Sequence, residues 1–546
     1  MPTDIQSALQ SALSKILKQE FGALDRAPAI ELETPKEPAH GNLSTNLAMQ
    51  LCRQLKEPPL NIANKIKGHL EQNLVKSYLD NLISKIEVKP PGFINFFFSD
   101  TALFDIVKTI LKQKHNFGRQ NIGKGKKIQI EFVSANPTGP LSVAHGRQAA
   151  VGDALANILQ FLNFKVTREY YVNDEGTQID ILGASIQNRL KEIIGEKIVF
   201  PENGYQGEYI YDIARKLLDF KERPQKFFSH FGCGDILKTI EKDLVDFSVH
   251  FDVWSRQSHI AKAGDVQKCL ALLRKRGFIF DKDGAVWFKS TAFGDDKDRV
   301  VVKSDGSFTY LAPDIAYHQN KFKRGFKKVI NIWGPDHHGY IPRLKAAVQA
   351  LGQPADALSV IIVQLATLFK EGKPISMSTR RGQYISLREV IDEVGKDAAR
   401  FFFLMRRVES HLDFDLALAK KQSPENPVYY IQYAHARIAS ILQNAEAQKF
   451  KRVTPGSLSN AEERELMRVL SGFPDALSAC WAMLDPFSLV GYLQELAAAF
   501  HKFYDRHRVL SDDPALSSAR LKLITAVKVV ISTGLKLLGI CAPEKM

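Results

Sequence analysis

Residues 128–147 run Ile128-Gln129-Ile130-Glu131-Phe132-Val133 and then Ser134-Ala135-Asn136-Pro137-Thr138-Gly139-Pro140-Leu141-Ser142-Val143-Ala144-His145-Gly146-Arg147. The first six place apolar side chains at alternate positions in a β-rich run, the pattern of a strand. Two prolines and a glycine then hold the backbone out of a helix until about His145, from which a helical pattern runs to about Leu162. A strand, a glycine-bearing loop and a helix form the opening unit of a parallel nucleotide-binding sheet. Backbone N–H groups at such a helix start face an anion. A histidine placed there donates to phosphate oxygens and stabilises charge that grows during displacement. Taken alone, the loop reads as readily as a tight turn with Ser142 capping the helix.

Working outward, strand-like runs return at Lys328–Trp333 and Val360–Val363, so the sheet is split by a long insertion over about 185–300. That insertion is mostly helical, with a hairpin-like break at Gly284-Ala285-Val286-Trp287-Phe288-Lys289. Before the basic turn Gly123-Lys124-Gly125-Lys126-Lys127 lies an α+β region of about 115 residues. It opens with Ile5, Leu9, Leu13 and Ile16 at helical spacing and carries a strand-like Gly92–Phe98 after Pro90-Pro91. After about Pro424 the pattern is helical to the end, with stripes such as Tyr430, Tyr433, Ala434 and Ile438. The expected boundaries are 1–115, 120–423 and 424–546.

Composition narrows the classes. The chain has 546 residues, 45% hydrophobic and 25% charged, which excludes collagen-like, disordered and disulfide-scaffold proteins. No window of about 18 apolar residues exists, and the first residues lack a secretory pattern, so a soluble cytoplasmic protein is expected. The five cysteines, Cys52, Cys233, Cys269, Cys480 and Cys541, form no C-x-x-C pair and read as reduced thiols, with no zinc site expected. The net charge of +14 suits a polyanionic partner as well as it suits a merely basic soluble chain. Residues 1–120 carry +3 of it and residues 424–546 carry +2, so most of the surplus lies in the central region.

Three further elements carry chemistry. Lys373-Pro374-Ile375-Ser376-Met377-Ser378-Thr379-Arg380-Arg381-Gly382 gathers hydroxyls and cations that suit a pyrophosphate leaving group, although an isolated pair of arginines is usually a solvated turn. Trp333-Gly334-Pro335-Asp336-His337-His338-Gly339-Tyr340 follows a strand and places Asp336 where a carboxylate holds a ribose diol. Its adjacent histidines lack the ligand set that zinc needs. Tyr310 and Asp314 are one helical turn apart, with Pro313 fitting a helix that starts just there. With Glu131 and Asn136 they make a polar, acidic set, and a planar guanidinium with five donors prefers bidentate carboxylates.

Together these motifs resemble the class I aminoacyl-tRNA synthetases and, within them, the arginyl-tRNA synthetases. Ala135–His145 is similar to the HIGH region and Ser376–Arg380 to the KMSKS loop. His40-Gly41-Asn42-Leu43-Ser44-Thr45-Asn46, Tyr170–Gly176, Asp397–Phe402 and Ala542–Met546 are likewise similar to family segments. The resemblance implies a multidomain α/β architecture: a Rossmann-like parallel-sheet core with an insertion, an α+β N-terminal tRNA-binding domain and an all-α C-terminal anticodon-binding domain. It implies ATP-dependent ligation of arginine to tRNA(Arg) through an arginyl-adenylate, with Mg2+ accompanying ATP, in a monomer.

Residue by residue, the resemblance puts Ser142, His145, Gly146, Gly334, Asp336 and Met377 at ATP. It puts Glu131, Ser134, Asn136, His145, Tyr310, Asp314 and Asp336 at arginine. His145, Ser378 and Arg380 are the implied catalytic residues. Two departures stand out: Ser142 and Ala144 replace a histidine and the glycine of HIGH, and Ser376 and Thr379 replace both lysines of KMSKS. Arg380, ahead of Lys373 and Arg381, is the candidate replacement cation. These departures motivate the alternative of a catalytically impaired tRNA-binding paralogue. A class I ligase for another amino acid suits the acidic pocket less well.

Overall fold

A computed structural model of the chain describes residues 2–22, 28–35, 37–74, 79–262, 264–370, 372–374, 384–445 and 457–546. At its centre lies a parallel sheet ordered Leu358–Ile362, Lys328–Trp333, Lys127–Glu131, Lys165–Val172, Val253–Arg256. The first strand in sequence is central and the chain winds outward from it both ways. The order therefore reverses between Lys127–Glu131 and Lys328–Trp333, and ligands bind at the carboxyl ends of strands at such a switch point. Helix Val143–Phe161 returns from the first strand over the sheet. Gly152 permits the close approach, since a Cβ there would lie 2.3 Å from the Phe132 ring.

The segment 185–300 is not one uninterrupted insertion. Helices Thr177–Ile193, Glu208–Arg215 and Gln225–Asp246 come first. Val253–Arg256 then pairs in parallel with Glu169–Val172 as the sheet's edge strand. Only after it comes a separate antiparallel sheet of Ile279–Lys282, Ala285–Phe288 and Arg299–Val302, which contains the expected hairpin. Four half-exposed residues at a sheet edge lack the apolar alternation by which a strand announces itself.

The N-terminal region packs helices Pro2–Glu20, Leu47–Leu55 and Pro59–Leu74 on an antiparallel sheet ordered Leu43–Thr45, Phe93–Phe98, Ile83–Lys89. Ile5, Leu9 and Leu13 are wholly buried there, as their spacing requires. Helix Asp100–Gln113 packs instead on the C-terminal helices, and Arg464 pairs with Asp100 at 2.7 Å. The C-terminal region consists of helices Pro427–Ala445, Ala461–Ser471, Phe473–Met483, Phe487–Arg506 and Pro514–Leu537.

Two buried arginines lock these parts together. Arg400 donates to the Asp153 carboxylate (2.6 Å), to Phe247 O (3.0 Å) and to Leu538 O (2.9 Å). One guanidinium thus joins the central helix, the end of the helical insertion and the last C-terminal helix. Arg147 donates to Gln364 O (2.8 Å), Ser410 O (2.9 Å) and Arg407 O (2.9 Å), fixing the chain that leads into strand Ala366–Lys370. Its burial pushes the pKa down to about 10, with Asp485 opposing. Among the described residues no helix is long and apolar enough to cross a membrane.

Candidate active site

The loop after strand Lys127–Glu131 bends through left-handed φ angles at Val133 (66°) and Ser134 (40°), uncommon for residues with side chains. The bend turns Ser134 Oγ back onto Glu131 Oε1 (3.2 Å), while the Tyr171 N–H donates to the same Oγ at 3.1 Å. Asn136 Nδ2 donates to Gln178 Oε1 at 2.8 Å. Beyond it opens a cleft of about 230 Å3 walled by Asn136, Gly139, Ser142, His145, Tyr209 and Tyr384 among others. Tyr209 and Tyr384 hold the loop by donating to Thr138 O (2.7 Å) and Pro140 O (2.9 Å).

Ser142 occupies the N-cap of helix Val143–Phe161, and its backbone N–H donates to His145 Nδ1 at 3.1 Å. Accepting that bond fixes the ring as the tautomer with its proton on Nε2. Loss of water around the ring lowers the His145 pKa to about 4, against the charge of Asp336. At neutral pH His145 is therefore an uncharged Nε2–H donor at a helix N-terminus, ready for an oxyanion. Gly146 lies behind the cleft: a Cβ there would come 2.7 Å from Leu387 Cδ1. The Leu387 N–H in turn donates to Leu141 O at 2.7 Å, docking the chain after the basic loop onto the HIGH-like loop.

Strand Lys328–Trp333 ends in the turn Pro335–Tyr340. Gly334 leaves room beside the Asp336 carboxylate, whose Oδ1 would lie 2.7 Å from a Cβ there. Asp336 is exposed at the switch point, beside His337 at 3.4 Å. Tyr340, at the far end of the turn, donates to Asp314 Oδ2 at 2.5 Å. One turn thus presents Asp336 towards His145 and anchors Asp314.

Helix Leu311–Lys323 begins one residue after Tyr310, with Pro313 in its first turn. The shared helical face expected for Tyr310 and Asp314 is not formed. Tyr310 precedes the first helical residue and its side chain is 80% exposed, whereas Asp314 faces inward to Tyr340. Burial pushes the Asp314 carboxyl up to about 7; the Tyr340 bond and Lys321 oppose this and Glu131 adds to it. Glu131 forms a buried ion pair with Lys321, and Glu169 on the neighbouring strand pairs with Arg324 at 2.7 Å. Tyr171, Tyr340 and Lys321 were not singled out from sequence. The polar residues Asp314, Tyr317, His318 and Lys321, spaced three and four apart, are the signal that could have found the last.

Lys373 is exposed at the turn beyond strand Ala366–Lys370. Ser376, Met377, Ser378, Thr379, Arg380 and Arg381 lie outside the described residues. Among the described residues no cluster of three His, Cys, Asp or Glu side chains is placed to hold a metal ion.

Residues 106–407 match the family described as tRNA synthetases class I (R), catalytic domain. Residues 3–98 match the arginyl tRNA synthetase N terminal domain, and residues 431–546 the DALR anticodon binding domain. The arginine–tRNA ligases of Desulfosudis oleivorans and Syntrophotalea carbinolica are each 46% identical to this chain over 100% of both sequences. The arginyl-tRNA synthetase structure from Thermus thermophilus shares the fold, with a TM-score of 0.79 at 23% identity over 99% of this chain and 100% of that one. Matched along its length by the N-terminal, catalytic and anticodon-binding domains, the chain belongs to the arginyl-tRNA synthetase (arginine–tRNA ligase) family of class I aminoacyl-tRNA synthetases.

Proposed function

We propose that the chain joins arginine to tRNA(Arg) in two steps at the carboxyl edge of the central sheet. A carboxylate oxygen of arginine attacks the α-phosphorus of ATP, the bond to the bridging oxygen of the β-phosphate breaks, and pyrophosphate leaves. A ribose hydroxyl of the terminal tRNA adenosine then attacks the arginyl carbonyl and AMP departs. The observation that carries this reading is one turn, Pro335–Tyr340, that holds Asp314 through Tyr340 and sets the charge of Asp336 near an uncharged His145 at a helix N-terminus.

In this reading His145 Nε2–H stabilises the oxygens of the α-phosphate, with Ser142 holding its ring and Gly146 setting the helix start. Gly334 and Asp336 take the ATP ribose, and Met377 the nucleotide from the basic loop. Ser378 and Arg380 meet the departing pyrophosphate, with Arg380 standing in for the missing lysine. Asp314 receives the guanidinium, with Glu131 and Tyr310 at its edges. Ser134, Asn136 and Asp336 hold the α-amino and carboxylate end. Bound to the ATP phosphates, Mg2+ would offset their charge. The C-terminal helices take the anticodon stem and loop, and the N-terminal domain the outer corner of the tRNA. The protein works as a cytoplasmic monomer.

Against a non-catalytic role stands the acidic floor itself, for which a chain that only binds tRNA phosphates has no chemical use. Discrimination needs no editing step, because a smaller or uncharged amino acid leaves the half-buried carboxylate without its partner. Charging of total tRNA with labelled arginine, in competition with lysine and citrulline, tests the assignment. Arginyl-tRNA alone is expected; equal charging with lysine or citrulline overturns it.

A further inference from the structure

Three adjacent strands carry polar side chains at one register, with Asn331 opposite Glu131 and Glu131 opposite Glu169. Burying two carboxylates side by side is unfavourable unless cations are buried with them. Helix Leu311–Lys323 brings these in, turning Asp314, Tyr317, His318 and Lys321 onto the sheet edge where an amphipathic helix ordinarily places apolar side chains. Lys321 is wholly buried. It pairs with Glu131, donates to Asn331 Oδ1 at 3.2 Å and lies 4.3 Å from the centre of the Tyr317 ring.

Asn331 Nδ2 is 2.9 Å from His318 Nε2, and His318 Nδ1 lies 2.8 Å from the Asp314 carbonyl oxygen. The chain of bonds therefore runs from Lys321 to the backbone of Asp314. Glu169 is held by Arg324 (2.7 Å), Tyr317 (2.8 Å) and Ser255 (2.6 Å). Glu131 and Glu169 are thus balanced by Lys321 and Arg324. Asp314 differs from both: its bond is to the neutral Tyr340, and no cation among the described residues pairs with it.

We propose that Lys321 is a positioning residue and built-in counter-cation, which neutralises the floor of the pocket and leaves Asp314 to receive the single positive charge of a guanidinium. This rests on the assignment of arginine to the pocket. It makes the acceptance of one further cation a property of the charge count beneath the site. The groups facing Asp314 are Tyr340 from the Pro335–Tyr340 turn, Glu131 from the first strand, Tyr171 from the second, and His318 and Lys321 from its own helix. Of the two that bear opposite charges nearest it, Glu131 favours its protonated form and Lys321 its ionised form.

The test is a charge cycle read as a pH profile. kcat/KM for arginine is measured by tRNA charging from pH 5.5 to 9 at saturating ATP and tRNA. Lys321→Met is expected to move the acid limb up by about one pH unit, and Glu131→Gln to move it down by a similar amount. The double variant, its charge balance restored, is expected to return to within about a third of a unit of wild type. Damage to packing alone would lower activity at every pH without moving the limb.

Limbs unmoved in the single variants, or a double variant still displaced like Lys321→Met, overturn the proposal. If Lys321→Met does not fold, Glu131→Gln and the double variant decide by the same criteria. Titration of Asp314 in the substrate-free chains by carboxyl 13C NMR, assigned with Asp314→Asn, separates the two claims. The expected ordering in a chain that does not charge arginine removes the arginine assignment and keeps the counter-cation; a flat ordering removes the counter-cation.

Discussion

Replacing Asp314 by asparagine removes a charge while keeping volume and an acceptor for the Tyr340 hydroxyl, which now bonds Oδ2 at 2.5 Å. The loss falls on the guanidinium. Hydrogen bonds to charged groups contribute about 1.5–3 kcal/mol each, so the paired contact of a carboxylate with a guanidinium is set at about 3 kcal/mol. That corresponds to roughly a 150-fold fall in kcat/KM for arginine. The ATP KM at saturating arginine stays unchanged. A pH signature accompanies the loss. With the Asp314 carboxyl raised to about 7 by burial, only about a tenth of it is ionised at pH 6, so wild-type kcat/KM for arginine falls about tenfold per unit below pH 7.

The variant has no such limb. The sign extends to stability: the folded chain binds this proton more tightly than the unfolded one, so the stabilisation is complete below the unfolded carboxyl pKa and fades as pH rises towards 7. Asp314→Asn is therefore expected to be more heat-resistant than wild type at pH 8. Steady-state aminoacylation across pH, with melting curves at pH 5 and 8, reads all of this. An arginine kcat/KM within threefold of wild type, or an acid limb retained in the variant, would refute the role given to Asp314.

Arg400→Met fills the buried volume but breaks the bond to Asp153 at 2.6 Å and leaves three carbonyls short of a donor. Arg168, 3.3 Å from the same carboxylate, compensates in part, so the low end of the range for a broken buried pair applies, about 3 kcal/mol. An unchanged urea midpoint would contradict it. Arg380→Ala is expected to lower turnover by about a hundredfold, the scale of a lost donor to developing charge, with arginine KM within twofold. Unchanged turnover in single-turnover adenylate formation removes Arg380 from the chemistry.

The strand–loop–helix unit around residues 128–162 was legible because both of its periodicities and the proline–glycine break are local features. His145 and Asp336 were legible as positions, each attached to an element end that sequence marks. What escaped was nonlocal. Val253–Arg256 joins the sheet only because Lys165–Val172 offers it an edge, and nothing within its four residues records that. Tyr310 and Asp314 share a helical spacing, yet the helix start separates their environments and Tyr340 becomes the partner of Asp314 from another element. Lys321 and Arg400 are charged residues with no exposed surface, a state decided by the carboxylates and carbonyls that meet them across long sequence separations. The ion pairs of Glu131 with Lys321 and of Glu169 with Arg324 emerge only in the assembled sheet edge.

Activation of arginine at this sheet edge is read by pyrophosphate exchange, the reverse of adenylate formation. Exchange of labelled pyrophosphate into ATP is followed with and without arginine and with and without tRNA. Exchange is expected to require arginine and to appear when tRNA is present. No exchange under any of these conditions, or exchange indifferent to arginine, would contradict that activation.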